Sequence, residues 1–330
     1  MLIISVLIKL KLLYYSYMKT YLITGGAGFI GSNYLNIFVK KNPNNLYVCL
    51  DALTYAGNLN NIKEIIDCKN FKFVKGNICD KELVNKLFEL YKFDYVINFA
   101  AETHVDNSIK DSDIFYETNV LGTKVLLDAC RKYGIKRFHQ ISTDEVYGNN
   151  VLGYKFKEDD KLNPSSPYSA SKAAADLLVL SYFKTYNIPV TISRSSNNYG
   201  YNQNQEKLIP MIINNALSDK DITIYGDGNN IRDWLFVDDH CDAIELIIIN
   251  GKEGEIYNIS NGFELSNNEV VKKILNILNK PESLIKYVDD RLGHDFRYGI
   301  DISKIMNELH WKPKHIFNDE ILTSIINHIK

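Results

Sequence analysis

A strand-like run, TYLIT (20–24), leads directly into the glycine loop GGAGFIG (25–31) and then into an amphipathic segment, IGSNYLNIFVKK (30–41). The spacing of Gly26, Gly28 and Gly31 allows a tight turn, close backbone approach to a pyrophosphate, and close packing of helix on strand. A phosphate held there sits on the free N–H groups of the helix start. Glycine turns of this kind recur in unrelated loops. Here the loop has its strand, its helix and an acid, Asp51, twenty positions beyond Gly31 at the end of a second strand-like run, NLYVCLD (45–51). An acid in that place hydrogen-bonds ribose hydroxyls and repels a 2′-phosphate, so the pattern predicts NAD rather than NADP.

This beginning sets the rhythm of the next 170 or so positions. FKFVKG (71–76), YVINFA (95–100), RFHQIS (137–142) and VTISR (190–194) read as further strands, separated by helix-like stretches such as FYETNVLGTKVLLDACRKYG (115–134). Strands that are apolar almost throughout and alternate with helices predict an α/β, Rossmann-like, doubly wound parallel sheet covered on both faces. Beyond Arg194 loops rich in Asn, Gly, Tyr and charge take over. The chain therefore divides into an NAD-binding Rossmann domain over 18–195 and a smaller C-terminal domain over 196–330 that mainly binds substrate. Strands near 233–260, IYNIS (256–260) above all, are expected to return to the first sheet.

Residues 1–17, MLIISVLIKLKLLYYSY, stand outside this rhythm. Lys9 and Lys11 break the apolar run, so no membrane span is expected, and no small-residue cleavage site follows. The expectation is a disordered or non-native extension with Met18 as the natural start; an interfacial amphipathic anchor is the alternative. A net charge of −2 supplies no basic field, which argues against nucleic acid. Five cysteines without a C-x-x-C pair argue against a disulfide framework or a metal site, and for a reducing cytoplasm.

Two further stretches carry chemistry. ISTDEVYG (141–148) places Asp144 beside Glu145 just after a strand, where like charges are unfavourable and a turn would need only one acid. Capping of a helix by Asp144 would account for one of them and leave Glu145 unexplained. YSASKAAADLLVL (168–180) follows Pro167, which suits a helix start. Tyr168 and Lys172, four apart, project from one face of that helix. A neighbouring ammonium is expected to lower the phenol's pKa, giving a base that removes a hydroxyl proton as hydride departs. An isolated Y-x-x-x-K is common; after this glycine loop and a strand ending in Ser142-Thr143, catalysis is the better reading.

With these parts in order the chain resembles the extended short-chain dehydrogenases/reductases and, within them, the dTDP-glucose 4,6-dehydratases. The resemblance runs from Met18 to about Phe317 through TGGAGFIGSN, DALTYAGN, FAAETHVDNSI, ETNVLGT, STDEVYG, SPYSASKAAAD, SNNYG, EKLIP, YGDGNNIRDW, YNIS and DRLGHDFRYGID. It implies oxidation of a hexose at C4, loss of water across C5 and C6, and return of hydride to C6. Elimination needs an acid and a base together, and the resemblance assigns Glu145 as base and Asp144 as acid. It makes Thr143 a partner of the C4 oxygen, and Tyr168, supported by Lys172, the group that handles the C4 hydroxyl proton.

For NAD it implies Gly25, Gly26, Gly28, Phe29, Ile30 and Gly31 in the loop, and Asp51, Ala52, Leu53 and Thr54 after the second strand. Asn77, Ile78, Phe99, Ala100, Ala101, Thr103, Thr118, Tyr168, Lys172 and Asn198 complete that set. For the nucleoside-diphosphate hexose it implies Thr103, Asn197, Lys207, Leu208, Tyr225, Arg232, Arg291 and His294. A homodimer built on helices near 114–133 and 168–186 is also implied. Asn77, Phe263 and Leu292 depart from the family's usual Asp, Asn and Pro. UDP-glucose relatives share the string THVDNS (103–108), so dTDP and UDP both stay open. An epimerase or decarboxylase is disfavoured by the acid pair, and a non-catalytic NAD-binding regulator by the retained tyrosine and lysine.

Overall fold

The structure, a computed structural model, describes residues 18–330; the expectations for 1–17 lie outside the described residues. Seven parallel strands form the central sheet: β1 (Thr20–Thr24), β2 (Leu46–Asp51), β3 (Phe71–Lys75), β4 (Tyr95–Asn98), β5 (Arg137–Thr143), β6 (Val190–Ser195) and β10 (Glu255–Ile259). Their order is β10-β6-β5-β4-β1-β2-β3. The predicted parallel sheet is thus present, and register follows from alternation. Leu22, Val48, Val96 and Phe138 enter one apolar layer, whereas Tyr21, Tyr47, Ile97 and Ile141 enter the other. Slipping any strand by one residue would exchange the two layers.

Helices cover both faces. The first layer is closed by α2 (Lys81–Tyr91), α5 (Thr123–Tyr133) and α6 (Pro167–Tyr186), through Leu87, Leu126 and Val179. The second is closed by α1 (Phe29–Lys41) and α8 (Val237–Asn250), through Leu35, Phe38 and Ile244. Pro167 occupies the first turn of α6, and Ser166 and Ser169 form a reciprocal cap ahead of it.

The 115–134 stretch is not one regular helix. Between α4 (Asp113–Tyr116) and α5 the chain widens into a π-helical turn, Glu117–Gly122. Such turns redirect side chains near functional sites. Here Asn119 donates to Glu102 O (3.1 Å) and Ser171 Oγ (2.8 Å), and accepts from Glu102 N (2.9 Å).

The C-terminal part has its own core under two small sheets. β7 (Asn197–Tyr199), β9 (Ile231–Phe236) and β11 (Glu264–Ser266) form one; β8 (Ile222–Tyr225) and β12 (Ile285–Val288) form the other. α7 (Leu208–Leu217), α9 (Asn267–Leu278) and α11 (Asp319–Ile329) pack there through Ile212, Ile274 and Ile325. Of the strands expected to rejoin the first sheet, β10 does so beside β6, while β9 stays in the three-stranded sheet. α8 crosses back with β10, so the chain passes between the two parts more than once.

A buried ion pair locks this return. Arg194 Nε on β6 donates to Asp176 Oδ2 on α6 at 2.9 Å, with the two side chains 2% and 0% exposed. Arg194 also donates to Tyr147 Oη (2.8 Å), which donates to Asn258 Oδ1 on β10 (2.8 Å). Removing one partner of such a pair strands a desolvated charge. Asp176→Asn should therefore lower the unfolding free energy by about 3–5 kcal/mol in urea titrations. A loss below about 1 kcal/mol would show that the remaining contacts of Arg194 suffice.

Candidate active site

The strand order reverses between β1 and β4, and ligands of open α/β sheets bind at that crevice. A cavity of about 320 Å³ opens there, walled by Gly25 and Gly28 on one side and by Phe99, Ala100 and Ala101 on the other. The glycines are required by contact. Gly25 has φ +67°, and a Cβ on it would fall 2.6 Å from Ala100 N; a Cβ on Gly31 would fall 2.5 Å from Gly25 O. Gly26 serves packing instead, since its Cβ would meet Leu35 Cδ1 at 2.6 Å. Asp51 Oδ2 accepts from Ala27 N and Oδ1 from Leu53 N, both at 2.8 Å, so the acid at the end of β2 steadies the glycine loop.

Phe29, Ile30, Ala52, Thr54, Asn77 and Ile78 line this adenosine-sized end, and Thr103, Thr118 and Asn198 line its continuation. Leu53 packs beneath the loop with φ +53°. These residues fit a dinucleotide: an uncapped helix start at Gly28, a cradle that any Cβ would fill, and carboxylate acceptors at the ribose position. Ser142 Oγ, Asp144 Oδ2 and Gln203 Oε1 are buried without a hydrogen-bond partner among the described residues, and all three residues line the same cavity. Buried polar groups are rarely left so unless a ligand completes them.

At the inner end β5 delivers the acid pair. Thr143 closes the strand and its hydroxyl accepts from Glu145 N (3.2 Å), so Thr143, not Asp144, caps the short 3₁₀ turn Asp144–Tyr147. That leaves the capping role for Asp144 without support. Thr143 Oγ1 donates to Asp144 Oδ1 at 3.3 Å. Tyr168 and Lys172 line the same cavity from α6. Lys172 Nζ donates to Ile141 O at 2.6 Å.

The model for the family described as GDP-mannose 4,6 dehydratase matches residues 22–323. The chain belongs to this family. It is 49% identical over 90% of its length to the low-salt glycan biosynthesis protein Agl12 of Haloferax volcanii, 94% of which is covered. It is 46% identical over 93% of its length to a dTDP-glucose 4,6-dehydratase of Xanthomonas campestris, 92% of which is covered. The crystal structure of a dTDP-glucose 4,6-dehydratase from Bacillus anthracis in complex with NAD superposes with a TM-score of 0.87, at 45% identity, covering 94% of this chain and 96% of that one.

In this member of the family the two acids sit in different fields. Burial pushes the Asp144 carboxyl well above the usual range, and the Glu145 charge beside it pushes further. Burial raises Glu145 too, but Arg291, Arg232 and Lys207 pull it back. The expected lowering of Tyr168 is not found: burial and the charges of Glu145 and Asp144 raise the phenol well above 10. Burial is the largest cause, and against it the hydrogen bond with Thr143 favours the phenolate.

The substrate-end residues separate. Asn197 and Lys207 line the cavity, and Lys207 Nζ donates to Thr103 O (3.2 Å). Leu208 packs into the C-terminal core. Arg232 lies over the Tyr298 ring at 4.3 Å and gives hydrogen bonds to the carbonyls of Ile231, Phe296 and Asp295, so much of its fork is spent on backbone. His294 Nδ1 lies 2.6 Å from Asp290 Oδ1. Tyr225 and Arg291 meet at Asp106. Asp106, Gln203 and Glu206 are not among the residues expected from sequence: Asp106 lies within THVDNS and Glu206 opens EKLIP, with Gln203 three positions ahead of it, and neither string marks them. Among the described residues no group of three or more His, Cys, Asp or Glu side chains could hold a metal.

Burial lowers Lys172 from 10.5 to about 8. The unfolded chain therefore holds more protons than the folded one between those values, and stability from this group rises with pH there. Between about pH 7.5 and 9.5, NAD-free wild type should gain about 2 kcal/mol relative to Lys172→Met in denaturant titrations. A difference that stays flat across this range would refute the depressed lysine.

Proposed function

We propose that the chain is an NAD-dependent nucleotide-sugar 4,6-dehydratase acting on dTDP-glucose, with residues 18–195 holding the dinucleotide and 196–330 supplying most of the sugar-nucleotide site. The observation that carries this reading is the buried pair Asp144 and Glu145, adjacent in sequence and lining one cavity with Tyr168 and Lys172, both raised by burial but with three cations offsetting Glu145. NAD supplies the acceptor for the C4 hydride and its return to C6. Tyr168 removes the C4 hydroxyl proton, and the Thr143 hydroxyl orients the C4 oxygen. With Asp144 protonated, one of the two charges that hold the phenol up is removed. Glu145, whose charge the three cations favour against the rise caused by burial, takes the C5 proton made acidic by the 4-ketone. Asp144 then gives its proton to the departing C6 hydroxyl, water leaves, and Glu145 returns a proton to C5 as hydride reaches C6. Thymine and uracil differ by one methyl, worth only about 1–3 kcal/mol in a pocket, so UDP-glucose is the second substrate to try.

Wild type incubated with dTDP-glucose should yield product lighter by one water in mass spectra. Glu145→Gln should still reduce bound NAD but fail to exchange the C5 hydrogen with deuterated water. Asp144→Asn should exchange C5 and form product about 10²–10⁴-fold more slowly, the usual loss of a general acid. Exchange by Glu145→Gln as fast as wild type would overturn the assignment of the base, and turnover of UDP-glucose alone would overturn the choice of nucleotide.

The same reading includes a homodimer in a reducing cytoplasm. α4, the π-helical turn and α6 present Ile114, Leu121, Leu177 and Tyr186 at 42–60% exposure. Apolar side chains on two neighbouring helices suit an isologous, two-fold contact. All five cysteines are free, and among the described residues no helix is long and apolar enough to cross a membrane. Light scattering should report the mass of two chains, shifting to one in Leu121→Glu/Leu177→Glu. A monomeric wild type at micromolar concentration would refute the dimer.

A further inference from the structure

Near Lys207, which lines the cleft and feels both charges, Tyr225 and Arg291 meet at the carboxylate of Asp106 from a distant part of the chain. Asp106 belongs to α3 (Val105–Lys110), on the NAD side; Tyr225 ends β8, and Arg291 lies in the loop after β12. Tyr225 Oη donates to Asp106 Oδ2 at 3.2 Å. Arg291 Nη1 approaches Asp106 Oδ1 at 3.7 Å, close enough for charge attraction but too far for a hydrogen bond. Asp106 Oδ1 and Arg291 Nε are both buried, and neither atom has a hydrogen-bond partner among the described residues.

As a device for stability this arrangement is poor. The two side chains are 26% and 25% exposed, and partly solvated ion pairs without a hydrogen bond stabilise a fold little. Leaving a charged donor and a charged acceptor buried and unbonded works against folding. The geometry has a different use. A guanidinium presents Nε and Nη2 along one edge, which matches two oxygens of a phosphate. Asp106 attracts Nη1, outside that edge. The charge of Arg291 is felt in the cleft, since it is the strongest of the influences holding Glu145 down and it also depresses Lys207.

We infer that Asp106 is a positioning residue: it fixes Arg291 by Nη1 and Tyr225 by its hydroxyl, so that the Nε edge of Arg291 is turned to take the diphosphate of the nucleotide sugar. Binding of the diphosphate anchors the guanidinium from the far side and closes the Asp106 contact from 3.7 Å toward the ~2.8 Å of a charge-assisted hydrogen bond. One carboxylate from the NAD side thereby registers two substrate groups from the C-terminal side. This inference rests on the nucleotide-sugar reading above.

The test uses the full-length protein with NAD bound, and calorimetric titration with dTDP and, separately, with inorganic diphosphate. Asp106→Asn should weaken both about tenfold and raise KM for dTDP-glucose to match, while kcat falls less than about threefold. Asp106→Glu should recover part of the loss. In an Arg291→Gln background, Asp106→Asn should cost little more, because the two act as one unit. A purely structural role would instead lower kcat and melting temperature together and add fully to Arg291→Gln. Unchanged or tighter binding in Asp106→Asn overturns the inference, the tighter result meaning that Asp106 competes with the diphosphate. If wild type binds inorganic diphosphate but not dTDP, the nucleotide reading falls while the diphosphate arm still decides on Asp106. Wild type that binds neither overturns both.

Discussion

The parallel pairing of β1 with both β2 and β4 is the constraint from which the rest of this molecule follows. Because β1 runs beside both, the connection after it passes over one face and the connection after β4 over the other, and the carboxyl ends must part. The glycine loop can enter that gap only without side chains: a Cβ on Gly25 would strike Ala100 N, across the very strand whose separation makes the gap. Asp51 then closes the arrangement from β2 by bonding the loop's own backbone. Cofactor fit and sheet topology are one requirement here, expressed at three strand ends.

The same depth that shapes the cleft sets its chemistry. Charges are costly in a desolvated site, so each ionisable group there is neutralised, paired or shifted. Asp144 and Glu145 leave the same strand end side by side, and their backbone alone would not distinguish them. What separates them comes from elsewhere in the chain: Lys207, Arg232 and Arg291 all follow residue 195, and all act on Glu145. Asp144 is offset by Arg232 but faces Glu145 and Asp233. The dinucleotide half thus supplies two equivalent acids, and the C-terminal half makes them unequal. A Rossmann unit alone would hold the dinucleotide and lack the distinction.

How much of this is legible in the chain depends on whether the cause is local. Strand runs such as LYVCLD are readable because both faces are apolar, and TGGAGFIG is readable because a tight turn excludes side chains. The π-helical turn at Glu117–Gly122 is invisible to a 3.6-residue pattern; the forces behind it are the crowding of Gly122 against Ile78 and the bonds of Asn119 to Glu102 and Ser171. The expectation for Tyr168 and Lys172 failed for a related reason. Their spacing put both on one face of α6 and in one cavity, but spacing does not reveal how deeply the fold buries the phenol or that Glu145 and Asp144 face it. The resemblance assigns Arg232 to the nucleotide sugar, but no stretch of sequence shows that the loop carbonyls at Asp295 and Phe296 take several of its donors. Contacts of this range are set by the fold, and no window along the chain contains them.

The unsatisfied polar atoms show where the fold has given up stability. Ser142 Oγ, Asp144 Oδ2 and Gln203 Oε1 lie in the cleft, and Asp106 Oδ1 and Arg291 Nε belong to the contact between α3 and the loop after β12. Each such atom costs on the order of 1–3 kcal/mol when nothing bonds to it. They come from β5 and the 3₁₀ turn after it, α3, the loop after β7 and the loop after β12, so no single local distortion produces them together. The chain also leaves buried polar atoms open away from the cleft, Asp176 Oδ1 and Arg137 Nε among them, although Arg194 bonds both Asp176 Oδ2 and Tyr147. The three atoms that line the cavity are open to a ligand, whereas those outside it need another account.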